Sequence, residues 1–284
     1  MIIDFHTHTF PEKIAANAVK KLSVSGNIKN YTNGLAGSLI KSMHDFGIDY
    51  SVILPVATNP RQCNTINRTA AIINETSYNS GLISFGGIHP DCDNYREILL
   101  YIKSAGIKGI KIHPVYQQVD IDDIRFKRII DYACSLGLII VAHAGFDVSF
   151  PQGNNVIPLK IHNVIEDIHP KKFVLAHMGG WGCYDDVLGM IAGHDVYLDT
   201  SFSIVPIINA ENTALSPHNS RQLTNEMFVT LVRQHGADKI LFGSDSPWAS
   251  QSETLNRLKL SGLYDSELKL ITGDNAQSLL GISS

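Results

Sequence analysis

The sequence predicts an α/β protein built as a single (β/α)8 barrel. Three observations lead there: eight short apolar runs rich in β-branched residues, helical patterns between them, and polar residues gathered just past the runs' C-terminal ends. The first run is MIIDF, followed by DYSVILPV after Gly47, LISFGGI after Gly81 and IKGIKI after Gly106. The remaining four are LIIVA after Gly137, KFVLA after Pro170, VYLD after Asp195 and KILFG after Asp238. The glycines opening runs two to five, at 47, 81, 106 and 137, lie 34, 25 and 31 residues apart, which suits a strand plus a crossover helix. Ile124, Ile129, Ile130, Ala133 and Cys134 recur at helical spacing, and similar patterns cover 94–104, Pro158–Ile168 and Asn225–His235. A last helix is expected over 266–280.

Alternating strands and helices also allow an open doubly wound sheet. No GxGxxG follows the first run, so the dinucleotide-binding version loses its main support. Length favours the barrel, since 284 residues hold one barrel of about 250 residues plus a tail and two long loops. Those loops, 146–157 and 201–221, are polar and follow strands, which puts both on the C-terminal face as lids or substrate walls. No linker or repeat divides the chain, so residues 1–284 read as one domain.

Composition narrows the function. Only 18% of residues are charged, against 44% hydrophobic, which excludes disorder and coiled coil and implies a large interior. A net charge of -4 offers nothing to nucleic acid or an anionic membrane. No apolar run approaches a membrane span, and MIIDFHTHTF lacks the basic start of a signal peptide. The four cysteines, Cys63, Cys92, Cys134 and Cys183, fall singly and read as reduced thiols of a cytoplasmic protein. The expected partner is a small-molecule substrate; a homodimer is left open.

Twelve histidines remain to be explained. Six stand at or just past strand ends: His6, His8, His89, His113, His143 and His177. Asp245 follows the eighth run in FGSDSPW. In a barrel these ends converge on one mouth, so residues distant in sequence become one cluster. Alternate residues of a strand share a face, so His6 and His8 point together within reach of one cation. Two buried imidazoles without partners would cost kilocalories each, a cost that metal ligation removes. Imidazole and carboxylate without thiolate suit one divalent ion, Zn²⁺ first, with Mn²⁺, Fe²⁺ or Co²⁺ compatible, and leave positions open for water.

These segments resemble the amidohydrolase superfamily (amidohydrolase family 2), in the branch containing aminocarboxymuconate-semialdehyde decarboxylase and the resorcylate decarboxylases. DFHTHTFP, GIKIHP, VAHAG, LAHMGGW and FGSDSPW are similar to its strand-end signatures, and ITGDNAQSLLG, with Asn275, to its closing helix. The resemblance implies a mononuclear metal held by His6, His8, His143 and Asp245, with His177 positioning or activating its water. Relatives with two metals use the strand-six histidine as a ligand and a carboxylated strand-four lysine as bridge. Lys111 occupies that strand, but the branch implies one metal.

The chemistry so implied is metal-assisted hydrolysis of a small amide, ester or lactone, with Asp245 as base and later donor. The alternative on the same site is non-oxidative decarboxylation of an aromatic or muconate-like acid. A non-catalytic barrel would be expected to have lost a ligand, and none is missing. Lys111, His113, Arg61 and Trp248 are the candidate substrate contacts; Asn64 beside Arg61 would complete a carboxylate clamp. His89 reads as a loop-packing residue, and Trp181 and Tyr184 as structural.

Overall fold

All eight runs become strands, and every pairing between them is parallel. They are β1 (Ile3–Thr7), β2 (Tyr50–Ile53), β3 (Leu82–Ser84), β4 (Gly86–Gly87), β5 (Gly109–Ile112), β6 (Ile139–Ala142), β7 (Phe173–Leu175), β8 (Tyr197–Asp199) and β9 (Ile240–Leu241). This computed structural model describes residues 1–211 and 223–282. The third run accounts for the extra strand: β3 and β4 are its two halves, interrupted at Phe85, whose N–H donates to Ile53 O at 2.9 Å. β3 pairs with β2 and β4 with β5, so the ladder β1-β2-β3 continues into β4-β5-β6-β7-β8-β9. The last seam joins β1 to the chain after β9, through Phe5 N–H to Phe242 O (2.7 Å), Asp245 N–H to His6 O (2.8 Å) and His8 N–H to Ser246 O (2.6 Å). These bonds close the ring of eight that the runs predict.

Two apolar clusters follow from the alternation of buried side chains. The inner one fills the barrel with Ile3, Phe5, Val52, Leu54, Val141 and Val174, and Ala276 and Leu279 of the closing helix plug its lower end. The outer one joins the opposite faces, such as Ile110 and Ile140, to the helices through Leu39, Ile129 and Val164. The helices over Pro158–Ile168 and Asn225–His235 stand where the periodicity puts them, and that expected over 94–104 runs Tyr95–Ser104. The closing helix is less regular than expected: Asp265–Lys269 and Asn275–Leu280 flank a wide π-type turn over Leu270–Asp274. Asn275 there donates to Ala237 O and Ile240 O at 2.8 and 2.7 Å, tying the helix to the start of β9.

A β-bulge in β1 decides which side chains reach the mouth. Asp4 pairs with Ser51 and Thr7 with Ile53, so three steps on β1 oppose two on β2. Simple alternation from Ile3 and Phe5, both inside the barrel, would send His6 and His8 outward. The extra residue reverses the parity, and both imidazoles enter the mouth while Asp4 stays outside. There Asp4 accepts from Ser244 N–H, Ser244 Oγ and Gln251 Nε2 at 2.9, 2.6 and 2.8 Å, binding β1, the eighth strand end and the following helix together. Burial pushes its carboxyl up to about 6 despite those donors.

Of the expected loop 146–157, Phe146, Asp147, Val148 and Ser149 line the cavity at the mouth. Of the expected loop 201–221, residues 212–221 lie outside the described ones, and Phe202 faces the mouth. All four cysteines are free thiols, and among the described residues no helix is long and apolar enough to cross a membrane.

His235, far from the histidine cluster, yields a stability prediction. Its Nε2 donates to Val196 O at 2.9 Å and its Nδ1 accepts from Gly193 N–H at 3.2 Å, an arrangement that fits only the neutral ring. Burial accordingly holds it below the ordinary 6.5. The folded state therefore binds the proton less well than the unfolded one; its contribution is full above 6.5 and is lost as pH falls below that value. His235→Gln should flatten this acid-side decline in the urea midpoint, and an unchanged slope would contradict the assignment.

Candidate active site

Three proton acceptors converge at the mouth. His8 Nδ1 lies 2.8 Å from Leu54 O and His6 Nδ1 2.8 Å from an Asp199 carboxylate oxygen. Carbonyl and carboxylate oxygens only accept, so both Nδ1 atoms carry the hydrogen, and both Nε2 atoms present bare lone pairs in the neutral rings. Burial draws His6 down to about 4, and the Lys111 charge adds to that against the Asp199 and Asp245 carboxylates; the ring is neutral near neutral pH. The two Nε2 atoms stand 3.2 Å apart, and Asp245 Oδ1 lies 3.4 Å from the first and 3.0 Å from the second. That oxygen is buried with no hydrogen-bond donor among the described residues. Such a triangle is repulsive unless a cation sits at its centre, and the donor set fits a divalent metal.

Backbone geometry presents these atoms. Asp245 has φ +73°, in the left-handed region, and is held there by its N–H bond to His6 O. Beside it, a Cβ on Gly243 would stand 2.9 Å from His6 Cβ, so only glycine lets the seam close at this point.

His143 and His177 form a second pair. His143 Nε2 donates to Phe146 O at 3.0 Å and His177 Nδ1 to Ser201 O at 3.1 Å. The bare His143 Nδ1 and His177 Nε2 then face each other at 3.0 Å. His177, like Met178, has a positive φ (58°), which turns its ring inward where plain alternation from Val174 would not. Three of the four expected ligands, His6, His8 and Asp245, bring ligand atoms within 4.8 Å of one another; His143 groups instead with His113 and Asp147.

Asp199, at the end of β8, organises both pairs. One oxygen accepts from His6 Nδ1; the other accepts from the N–H groups of His177 and Ser201, each at 3.0 Å, and from Ser201 Oγ. Ser201 Oγ also lies 3.0 Å from His6 Nδ1 and 2.9 Å from His177 Nδ1. Burial alone would raise this carboxyl, but the His6, His177 and Ser201 contacts hold it below its ordinary range. The reading by strand ends singled out Asp245 and passed over Asp199, although VYLD ends at the same structural position.

Lys111 is 1% exposed, and its Nζ lies 3.4 Å from His6 Nε2. No carboxylate among the described residues lies within ion-pair distance of it, and burial lowers it to about 8, so it remains an ammonium at neutral pH. His113 stacks on His143 (4.0 Å between ring centroids, 13° between planes), and its Nε2 lies 3.7 Å from Asp147 Oδ2. Lys111, His113, Arg61 and Trp248 all line one cavity of about 490 Å³, together with His6, His8 and Asp245. Arg61 is exposed at the rim, in the short turn Pro60–Gln62, whereas Asn64 does not reach the cavity. Trp181, expected to be structural, also lines it, as do Tyr116 and Asp147, which the sequence reading did not single out. Tyr184 is buried and His89 takes an N–H from Asp91 in its own loop; neither reaches the cavity.

Residues 3–282 match the amidohydrolase family. The chain belongs to that family. No curated protein matches this amidohydrolase. Solved structures share its fold: a putative 2-pyrone-4,6-dicarboxylic acid hydrolase from Pseudomonas putida has 16% identity and a TM-score of 0.67, covering 100% of this chain and 98% of that one. A 2,6-dihydroxybenzoate decarboxylase from Rhizobium has 14% identity and a TM-score of 0.69 over 100% and 99% of the two chains. For 5-carboxyvanillate decarboxylase from Sphingomonas paucimobilis the values are 13% and 0.66, over 99% of each.

Asp199 supplies the prediction. Asp199→Ala frees the His6 ring and removes the acceptor that fixes its tautomer. Zn²⁺ affinity at the mouth should fall about 10–100-fold, as for other supports of metal-bound imidazoles. Equilibrium dialysis of folded variant and parent measures it; equal affinities would refute the role.

Proposed function

We propose that this amidohydrolase hydrolyses a small carbonyl compound, an amide, ester or lactone, at a single divalent metal held by His6, His8, His143 and Asp245, with Zn²⁺ the first candidate. The observation that carries the reading is the convergence of His6 Nε2, His8 Nε2 and Asp245 Oδ1 as three proton-free acceptors within 3.0–3.4 Å. A cation bound there would polarise a carbonyl and bring a water's pKa toward neutrality. The remaining work falls to the chain. Burial would raise the Asp245 carboxyl, and a cation bound beside it would hold it ionised against that burial. So ionised, Asp245 is in the state of a base that takes the attacking water's proton and returns it to the leaving group. His177, with Nδ1 held by Ser201, orients that water through Nε2. Lys111 supplies a buried positive charge for a substrate carboxylate or the developing oxyanion. Phe146, Phe202 and Trp248 give the substrate an apolar, water-poor wall.

Decarboxylation is the second reading, favoured by one observation. A buried ammonium beside His6, with no described carboxylate within ion-pair distance and at the base of an aromatic-walled cavity, suits the carboxylate of a planar acid. Substrate profiling of metal-replete protein with lactones, amides and esters against aromatic carboxylic acids separates the two: hydrolysis without CO2 release supports the first, and CO2 release without hydrolysis the second. The free thiols accord with a cytoplasmic enzyme.

The two strand-end histidines should divide their labour. His143→Ala should lose most bound metal, whereas His177→Asn should retain it and lose on the order of 10²–10⁴ in rate. Metal content of both variants, purified side by side without chelator, checks this. Equal loss would make His177 a ligand and favour a two-metal site bridged by carboxylated Lys111; one equivalent per chain and an unmodified Lys111 are expected.

A further inference from the structure

A second cluster of metal-ligating side chains lies on the outer wall of the barrel, away from the mouth. His162 and Glu166 sit four residues apart on the helix Pro158–Ile168 and so share one face of it. His194 faces them from the turn after the helix Tyr184–Met190, just before β8. Each of the three offers one ligand atom, and these atoms lie within 4.8 Å of one another. Glu166 Oε1 and His194 Nδ1 are 3.9 Å apart, and the two imidazoles meet edge to face with centroids 5.4 Å apart. His162 Nδ1 is shielded from solvent and has no hydrogen-bond partner. Glu166 and His194 remain 53% and 31% exposed, so an ion can enter from solvent. The next carboxylate in the chain, Asp195, is engaged by Lys171 at 3.3 Å and Lys239 at 2.7 Å, which leaves three protein ligands.

We propose that His162, Glu166 and His194 form a second site for a divalent transition metal, Zn²⁺ or a borderline ion of similar chemistry such as Co²⁺. Two imidazoles and one carboxylate select such ions over Ca²⁺ or Mg²⁺, which prefer all-oxygen shells. Water completes the coordination, so the site binds more weakly than one whose protein ligands close the shell. A bound ion would tie the helix between β6 and β7 to the turn that leads into β8, crosslinking two successive units of the barrel wall. The proposal is independent of what the mouth binds, because it shares no residue with it.

The test titrates purified protein, already holding one equivalent of Zn²⁺, with Co²⁺ followed by its visible absorption, alongside dialysis against Zn²⁺. The expected result is one further equivalent in the parent. Its affinity should fall by at least about 10-fold, the loss that removal of a mere supporting group causes, in each of His162→Ala, His194→Ala and Glu166→Gln. Glu166→Gln alters one exposed side chain and serves as the control should either histidine variant fold poorly. The further equivalent should also raise the melting temperature of the parent more than that of the variants. No further equivalent in the parent, or one that survives unweakened in Glu166→Gln and the folded histidine variants, would overturn the proposal; the latter result would assign that ion to the mouth.

Discussion

Lone pairs of like character do not approach within about 3 Å in a protein interior without something positive between them. His6 Nε2, His8 Nε2 and Asp245 Oδ1 are held in that relation by hydrogen bonds made on their far sides, to Asp199, to Leu54 and through the backbone of the closing seam. The same logic recurs between His143 Nδ1 and His177 Nε2. The protein has thus fixed the tautomers from outside and aimed the bare nitrogens inward. A neutral cluster of hydrogen-bonded histidines would show the opposite arrangement, with a donor opposite each acceptor.

Strand geometry alone could not make this arrangement. Regular alternation would waste either the lower core or the upper cluster, because Ile3 and Phe5 must fill the barrel while His6 and His8 must face its mouth. The bulge in β1 reconciles the two demands in one strand. The positive φ at His177 does comparable work at the end of its strand, turning the ring inward where the pleat would not; Asp245, also at positive φ, keeps the inward parity of Leu241. The strain is tolerated because each residue is pinned by neighbours: Asp245 by His6 O, His177 by Asp199 and Ser201.

Much of this was legible in the chain, and the exceptions share a cause. The eight runs, the helices over Pro158–Ile168 and Asn225–His235 and the gathering of histidines at strand ends depend on local periodicity, which a single sequence carries. The split of run three at Phe85 and the wide turn over Leu270–Asp274 depend on neighbours from other strands and helices. Asp199 escaped notice because its task is to receive hydrogen bonds from residues 193 and 22 positions away. Trp181 looked structural because its place in the helix start says nothing of the cavity that Gly145, bridged to it, brings alongside. Lys111 was visible as an inward residue, but its having no described carboxylate within ion-pair distance, only Asp199 and Asp245 farther off, is a property of the packed mouth.

The bulge also divides the barrel into two storeys with different freedoms. Below it, Ile3, Phe5, Val52, Val141 and Val174 belong to one apolar cluster with Phe85, Leu241 and the plug of the closing helix. Above it, strand-end residues such as His6, Lys111, His177 and Asp199 are polar and contact partners on other strands, beneath the apolar walls of the cavity. Conservative volume changes in the lower storey should therefore adjust thermal tolerance without displacing the donor atoms above, since interior repacking that keeps total volume is absorbed locally. Directed evolution of this scaffold can use that division, taking rigidity from the lower storey and new selectivity from the cavity walls.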